Sequence, residues 1–247
     1  MTQLDKPKIF GVGFSKTGTT SLEAAFENLG RNVCKGDWRL KHNDYNLALY
    51  VDRNFEELRR MTHYWDAFAD GPWGGGGLYK QLYDWYPDAF FVQTVRDPEM
   101  WYNSFERMIT SFAEDEDLAT ALESYHQRGA YGSALFFRNV FQIKKLEGAR
   151  DKIIDYYISA NAEVEAFFES KAARFIRMDI TNGEGWHELC SFLGVEKPNI
   201  PFPVKNVAPN SNASLLGVLA YAIQGGNFQR ICRGKLKKVL NSCAAKL

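Results

Sequence analysis

Lys8-Ile-Phe-Gly-Val-Gly-Phe-Ser-Lys-Thr-Gly-Thr-Thr-Ser-Leu22 decides the fold, since it reads as a buried strand, a phosphate-cradling loop and the start of a helix. It departs from an ATP-hydrolysing loop in one informative way. In the pattern G-x-x-x-x-G-K-[ST] the lysine follows the second glycine and serves the β/γ-phosphates, while the next hydroxyl holds Mg²⁺. Gly13 and Gly18 keep that spacing, but Thr19 stands in the lysine's place. The loop's lysine, Lys16, lies inside it and is followed by Thr17, Gly18, Thr19 and Thr20. Backbone N–H groups at a helix N-terminus bind a phosphate dianion with or without a γ-phosphate. The loop therefore predicts a nucleotide whose leaving end differs from that of ATP.

A second segment has its own physical logic: Phe90-Phe-Val-Gln-Thr-Val-Arg96-Asp97-Pro98-Glu-Met-Trp-Tyr-Asn-Ser104-Phe. Ala89 to Val95 is nearly all apolar or β-branched, as a parallel strand buried on both faces requires. Asp97 and Pro98 make a helix opening, a cap followed by proline at the first helical position. Trp101, Phe105, Met108 and Phe112 form the buried stripe of that helix. Ser104 lies beside the stripe, and the lean of helical side chains toward the N-terminus turns its hydroxyl back toward Arg96. An arginine fork and a hydroxyl make a phosphate site. The plain alternative pairs Arg96 with Asp97 and leaves Ser104 on the surface.

Together the two segments resemble a known family. Phe14-Ser15-Lys16-Thr17-Gly18-Thr19-Thr20-Ser21-Leu22 is similar to the 5′-phosphosulfate loop of sulfotransferases that use 3′-phosphoadenosine 5′-phosphosulfate (PAPS). The stretch from Phe90 to Phe105 is similar to their 3′-phosphate segment, an arginine at a strand end with a serine eight residues on. Asp179 to Gly194, followed by Pro201-Phe-Pro-Val-Lys-Asn206, resembles a later segment of many members, a helix with a proline-rich return. The resemblance spans Lys8 to Asn206, with Glu114 to Arg174 the least distinctive part.

The resemblance implies PAPS as donor, 3′-phosphoadenosine 5′-phosphate (PAP) as product and no obligatory metal. It also implies nucleotide contacts at Ser15, Lys16, Thr17, Gly18, Thr19, Thr20, Arg96 and Ser104. Sulfuryl transfer needs in-line attack on sulfur, a base for the acceptor's proton, and positive charge over the bridging oxygen. Lys16 fits the last role; its bland alternative is phosphate binding alone. The base in the family is a histidine or glutamate on an element between the two nucleotide segments, which here is Thr62-His-Tyr-Trp-Asp-Ala-Phe-Ala-Asp70-Gly-Pro-Trp73. Asp70 falls where a short strand ends, the place where such sheets put reactive groups, and is the expected base. Its alternative role is to open the Asp-Gly-Pro turn. His63 and Asp66 are the reserves, Asp66 pointing to the same side of a strand as Asp70. His42, His126 and His187 read as structural or exposed.

The remaining pattern alternates strands and helices. The first helix buries Leu22, Ala25, Phe26 and Leu29 and ends at Gly30. A short strand is expected over 31–35, a helix over 55–64, a short strand over 65–69, a mobile glycine loop over 71–77, and a helix over 78–86. Several helices follow over 114–173, then a strand over 174–180 and a helix over 186–193. This predicts an α/β fold: a three-layer sandwich with a central, mainly parallel sheet, P-loop NTPase-like, with helical additions. Residues 1–210 are expected to form the α/β domain, with 211–247 as a basic helical extension of it.

Composition narrows the setting. Thirty basic residues balance thirty acidic ones, so no overall field draws the chain to nucleic acid. Cys34, Cys190, Cys232 and Cys243 have no metal spacing and suggest reduced thiols in a cytoplasmic setting. With the first strand starting by Lys8, no signal peptide is expected, nor any membrane span. From Ser211 onward the chain holds Arg230, Arg233, Lys235, Lys237, Lys238 and Lys246 and no acidic residue. Such a tail can be a solvated or docked helix, a lid over the nucleotide, or a contact with a membrane surface. The acceptor is expected to be a small molecule or glycan, approached from Cys34 to His42 or from Trp65, Trp73 and the glycine run. Rival readings are a P-loop kinase of nucleotides or metabolites and a catalytically degenerate nucleotide-binding scaffold.

Overall fold

Five short strands, β1 (Ile9–Gly11), β2 (Val33–Cys34), β3 (Ala67–Phe68), β4 (Phe90–Thr94) and β5 (Arg174–Met178), all run parallel in the order β2-β3-β1-β4-β5. They come from a computed structural model that describes residues 6–37, 40–109, 131–142 and 148–205. The described helices are α1 (Thr19–Asn28), α2 (Lys41–Val51), α3 (Phe55–Met61), α4 (Tyr79–Trp85), α5 (Pro98–Ile109), α6 (Tyr131–Phe141), α7 (Arg150–Glu169) and α8 (Trp186–Leu193).

Strand alternation builds the layers. Successive side chains face opposite sides of a sheet, so each strand feeds two cores. Ile9, Val33, Ala67 and Val92 pack with Leu22, Ala25 and Phe26 of α1 and Leu189 and Leu193 of α8. Their chain neighbours Phe10, Cys34, Phe68 and Phe91 pack on the other face with Leu58 of α3, Leu82 of α4, and Val164 and Phe168 of α7. Phe10 stacks on Phe68 at 4.7 Å and Phe91 at 5.8 Å, an aromatic row across three neighbouring strands. Truncating its fully buried ring to alanine should cost about 3–5 kcal/mol. The expected three-layer α/β sandwich is what the chain forms.

A third core belongs to the helical additions. Phe14, Trp101, Phe105, Phe136, Phe141 and Tyr157 join the phosphate loop to α5, α6 and α7. The Trp101 ring lies 4.0 Å from Tyr157 and 5.4 Å from Phe105, stacked on both. At the start of α8, Trp186 donates its indole N–H to the Ile200 carbonyl at 2.9 Å and packs edge-on against Phe202, which fixes the proline-rich return.

Several elements are shorter than the sequence suggests. The strand expected over 65–69 is Ala67–Phe68 alone, and the helix expected over 55–64 ends at Met61, giving way to a 3₁₀ turn at Thr62–Tyr64. The chain divides into two compact units, Met1–Pro203 and Val204–Leu247. Of the second, only Val204 and Lys205 are described, so the expectations for the basic tail, like those for Phe112, His126, Cys232 and Cys243, lie outside the described residues. No described helix is long and apolar enough to cross a membrane.

Candidate active site

The sheet's connectivity places a crevice at the carboxyl ends of β1 and β4. These strands are neighbours, yet the chain leaves β1 through α1 toward β2 on one side and leaves β4 toward β5 on the other. Loops diverging from adjacent parallel strands make the customary ligand cleft of such sheets. The first loop, 12–18, and Arg96 both open into this end.

Within the loop, Gly18 is the N-cap of α1 with φ 99°, and Lys16 also has a left-handed backbone, φ 74°. No side chain caps α1, whose opening N–H groups are the anion-binding end of a ten-residue helix. Thr17 is fully buried; its hydroxyl donates to the Phe14 carbonyl at 2.5 Å and meets the Thr94 hydroxyl at 2.6 Å. That side chain braces the loop against β4, so its hydroxyl is committed within the fold. Lys16 is held below the ordinary lysine range by burial, with Asp70 opposing that shift and Arg107 and Arg96 adding to it.

The two segments that sequence reading singled out are joined in space. Trp101 donates its indole N–H to the Ser15 carbonyl at 2.9 Å, and Arg96 donates to the Lys16 carbonyl at 3.3 Å. Arg96 is itself held by Tyr157 of α7, whose hydroxyl takes the Arg96 N–H at 2.9 Å and donates to the Arg96 carbonyl at 3.0 Å. One turn further along α7, Asn161 accepts from Gln93 of β4 at 2.9 Å. Asp97 does not hold Arg96; it caps α5, accepting the Met100 N–H at 2.9 Å. Ser104 is half-buried on α5, two turns past the cap.

Asp70 lies just beyond β3, beside the loop, with φ 65°. One of its oxygens accepts from the Ser15 hydroxyl and, at 2.8 Å, from the Gly71 N–H; the other accepts from the Thr19 hydroxyl at 2.8 Å. It is thus attached to both flanks of the phosphate loop. Neither reserve reaches this place. Asp66 precedes β3, at the other end of the sheet, and accepts the Asn32 N–H at 3.2 Å. His63 is exposed in the 3₁₀ turn before it.

Sequence reading missed a neighbour of Asp70. Glu23 of α1 is only 7% exposed and accepts the Gly36 N–H at 2.6 Å. Burial pushes its carboxyl up to about 8, opposed by the Gly36 N–H and Lys35 and reinforced by Asp70 and Asp37. Its i+4 relation to Thr19 was the available signal, since it places Glu23 on the loop-facing side of α1.

The glycine run expected as a mobile loop is packed against the fold. A Cβ at Gly74 would collide with the Gly13 carbonyl, Tyr50 donates its hydroxyl to the Gly76 carbonyl, and Trp73 is buried in the core. A void of about 10 Å³ lies between Phe14, Gly75, Trp101 and Phe136, hardly room for one water. It is packing space, not an acceptor pocket. Burial pushes the Cys34 thiol up to about 12, which keeps it protonated and structural. Among the described residues no group of three or more His, Cys, Asp or Glu is arranged to hold a metal ion.

Comparison with protein families matches the chain to the sulfotransferase domain over residues 8–210. No curated protein matches it.

Proposed function

Because the chain belongs to the sulfotransferase domain family, we propose that it moves a sulfuryl group from PAPS to a hydroxyl or amine of a small molecule or glycan. Sulfuryl transfer is the family's reaction; the donor and acceptor are our reading. The observation that carries it is the physical union of the loop with the Arg96 segment, through the Trp101 and Arg96 contacts to consecutive loop carbonyls. A phosphate cradle joined to a second cationic site fits a nucleotide with phosphate at both its 5′ and 3′ ends.

In this reading the N–H groups of Lys16 to Thr20 and the hydroxyls of Ser15, Thr19 and Thr20 take the 5′-phosphosulfate. Arg96 and Ser104 take the 3′-phosphate. The acceptor oxygen forms its bond to sulfur as the bond from sulfur to the bridging oxygen breaks. The electron pair stays on the departing PAP, where the Lys16 ammonium stabilises it, and the acceptor's proton passes to Asp70. The arrangement couples the two events. A hydroxyl has one proton to donate, so when Ser15 and Thr19 turn theirs to the donor, they release lone pairs on Asp70. Donor binding thereby frees the base.

The test is sulfuryl transfer from labelled PAPS to a panel of alcohols, phenols, sugars and amines, with and without EDTA. We expect EDTA-insensitive transfer that falls ~10²–10³-fold in Lys16→Ala, the usual loss for a donor at a developing oxyanion. Full transfer by Lys16→Ala, or no thermal stabilisation of the wild type by PAP, would defeat the reading. Activity with ATP that EDTA abolishes would assign the site to a kinase instead.

A further inference from the structure

Behind the loop, a polar seam runs between α1 and the ends of β2 and β3. Thr19 and Glu23 leave the same face of α1, one turn apart. Thr19 gives its hydroxyl to Asp70, and Glu23 takes the N–H of Gly36. Gly36 threads between the two carboxyl groups: a Cβ there would collide with the Cβ of Asp70. Only glycine lets the chain leaving β2 pass that close. Two carboxyls from different elements thus flank a single backbone residue, and one of them is tied to both sides of the phosphate loop.

We propose that Glu23 is a positioning residue for the donor site: buried beside Asp70 and bonded to the Gly36 N–H, it clasps the end of β2 to α1 and governs how much negative charge stands next to the loop. Its ionisation adds a charge beside those of Asp70 and Asp37 and weakens the hold on a polyanionic donor. This rests on the PAPS reading. Among the described residues the groups facing Glu23 are Asp70, just beyond β3, and Cys34, Lys35 and Asp37 at the end of β2. Lys35 is engaged elsewhere, its ammonium 2.8 Å from Glu27 in a surface ion pair. Desolvation, the largest influence on the Glu23 carboxyl, keeps it protonated up to a pH of about 8. Buried charges are poorly screened, so the effect on the donor persists in salt.

Calorimetric titration with PAP from pH ~6.5 to ~9.5, on wild type and Glu23→Gln, tests the inference. Glutamine keeps an oxygen for the Gly36 N–H and cannot ionise, and a melting curve at pH ~7 checks its fold. For wild type, Kd should hold steady to pH ~8 and then weaken, by about tenfold at pH ~9.5, as one-proton linkage allows. For Glu23→Gln, whatever its Kd at neutral pH, the change over the same range should stay under about twofold. With PAPS as varied substrate, the alkaline loss should appear in its KM. A variant that follows the wild-type curve overturns the inference and leaves the donor reading standing. If neither protein binds PAP at neutral pH, the donor reading fails and takes the inference with it.

Discussion

Replacing Glu23 by glutamine should change how the stability of the nucleotide-free chain depends on pH. Unfolded, the carboxyl loses its proton near 4.5; folded, it keeps the proton to about 8. Between those values the folded chain binds one proton more than the unfolded chain, so stability falls as pH rises through the window. Glu23 imposes no penalty below the lower value and its full penalty above the upper one. The interval is about 3.5 pH units; at ~1.4 kcal/mol per unit the cost reaches about 5 kcal/mol. Glutamine does not titrate and has none of this slope. Subtracting the variant's unfolding free energy from that of the wild type cancels the other ionisable groups. The difference should therefore move against the wild type by ~1.4 kcal/mol per pH unit across the window and level off above pH ~8. In thermal melts of a chain this size, that is a relative loss on the order of 10 °C between pH ~5 and ~8. Urea and thermal unfolding followed by circular dichroism at four or five pH values measure it. Parallel curves for the two proteins would refute the reasoning, because they would mean that Glu23 ionises as freely folded as unfolded.

Arg96→Ala should weaken PAP binding by ~10–100-fold more than 5′-AMP binding, the worth of a charged hydrogen bond, since loss of its prop on the Lys16 carbonyl falls on both nucleotides alike; equal losses for both nucleotides would remove Arg96 from the 3′-phosphate. Asp70→Asn should slow transfer ~10²–10⁴-fold. Its PAP affinity should be unchanged or tighter, since a negative charge beside the loop is gone; a variant with normal kcat dismisses Asp70 as the base. Gly36→Ala should destabilise the chain by ~1–3 kcal/mol through the clash with Asp70. A urea midpoint equal to that of wild type would show that the β2 end can shift without cost.

Where sequence succeeded, the signal was local. The strand, loop and helix from Lys8 to Leu22 and the Asp97-Pro98 helix opening carry their instructions within a few residues, and both formed as read. Where it fell short, the deciding partner was distant in sequence. α2 escaped detection because its register lacks an apolar stripe: it buries Asn43 and Asn46 beside Leu47 and Leu49. The glycine run read as a mobile loop, yet Gly74 and Gly75 allow close approach to Gly13 and Phe14, some sixty residues away. Period-two reasoning put Asp66 and Asp70 on one side of a strand, but β3 is too short to carry both, so they stand at opposite ends of it. Glu23 looked like one more charge on an amphipathic helix; its spacing from Thr19 put it on the loop-facing side, but its burial appears only once Gly36 and Asp70 are folded against it.

The carbonyls of Ser15 and Lys16, held by Trp101 and Arg96, bear on how this protein could be engineered. The loop from Gly13 to Leu22 cannot be lifted out alone, because its curvature is set by an indole and a guanidinium from beyond the fourth strand. A graft of residues 13–22 onto another scaffold would carry the glycines and lose the two props that shape them. Any redesign has to treat residues 13–22 and 96–105 as one replaceable part, together with the Tyr157 hydroxyl that anchors the second half.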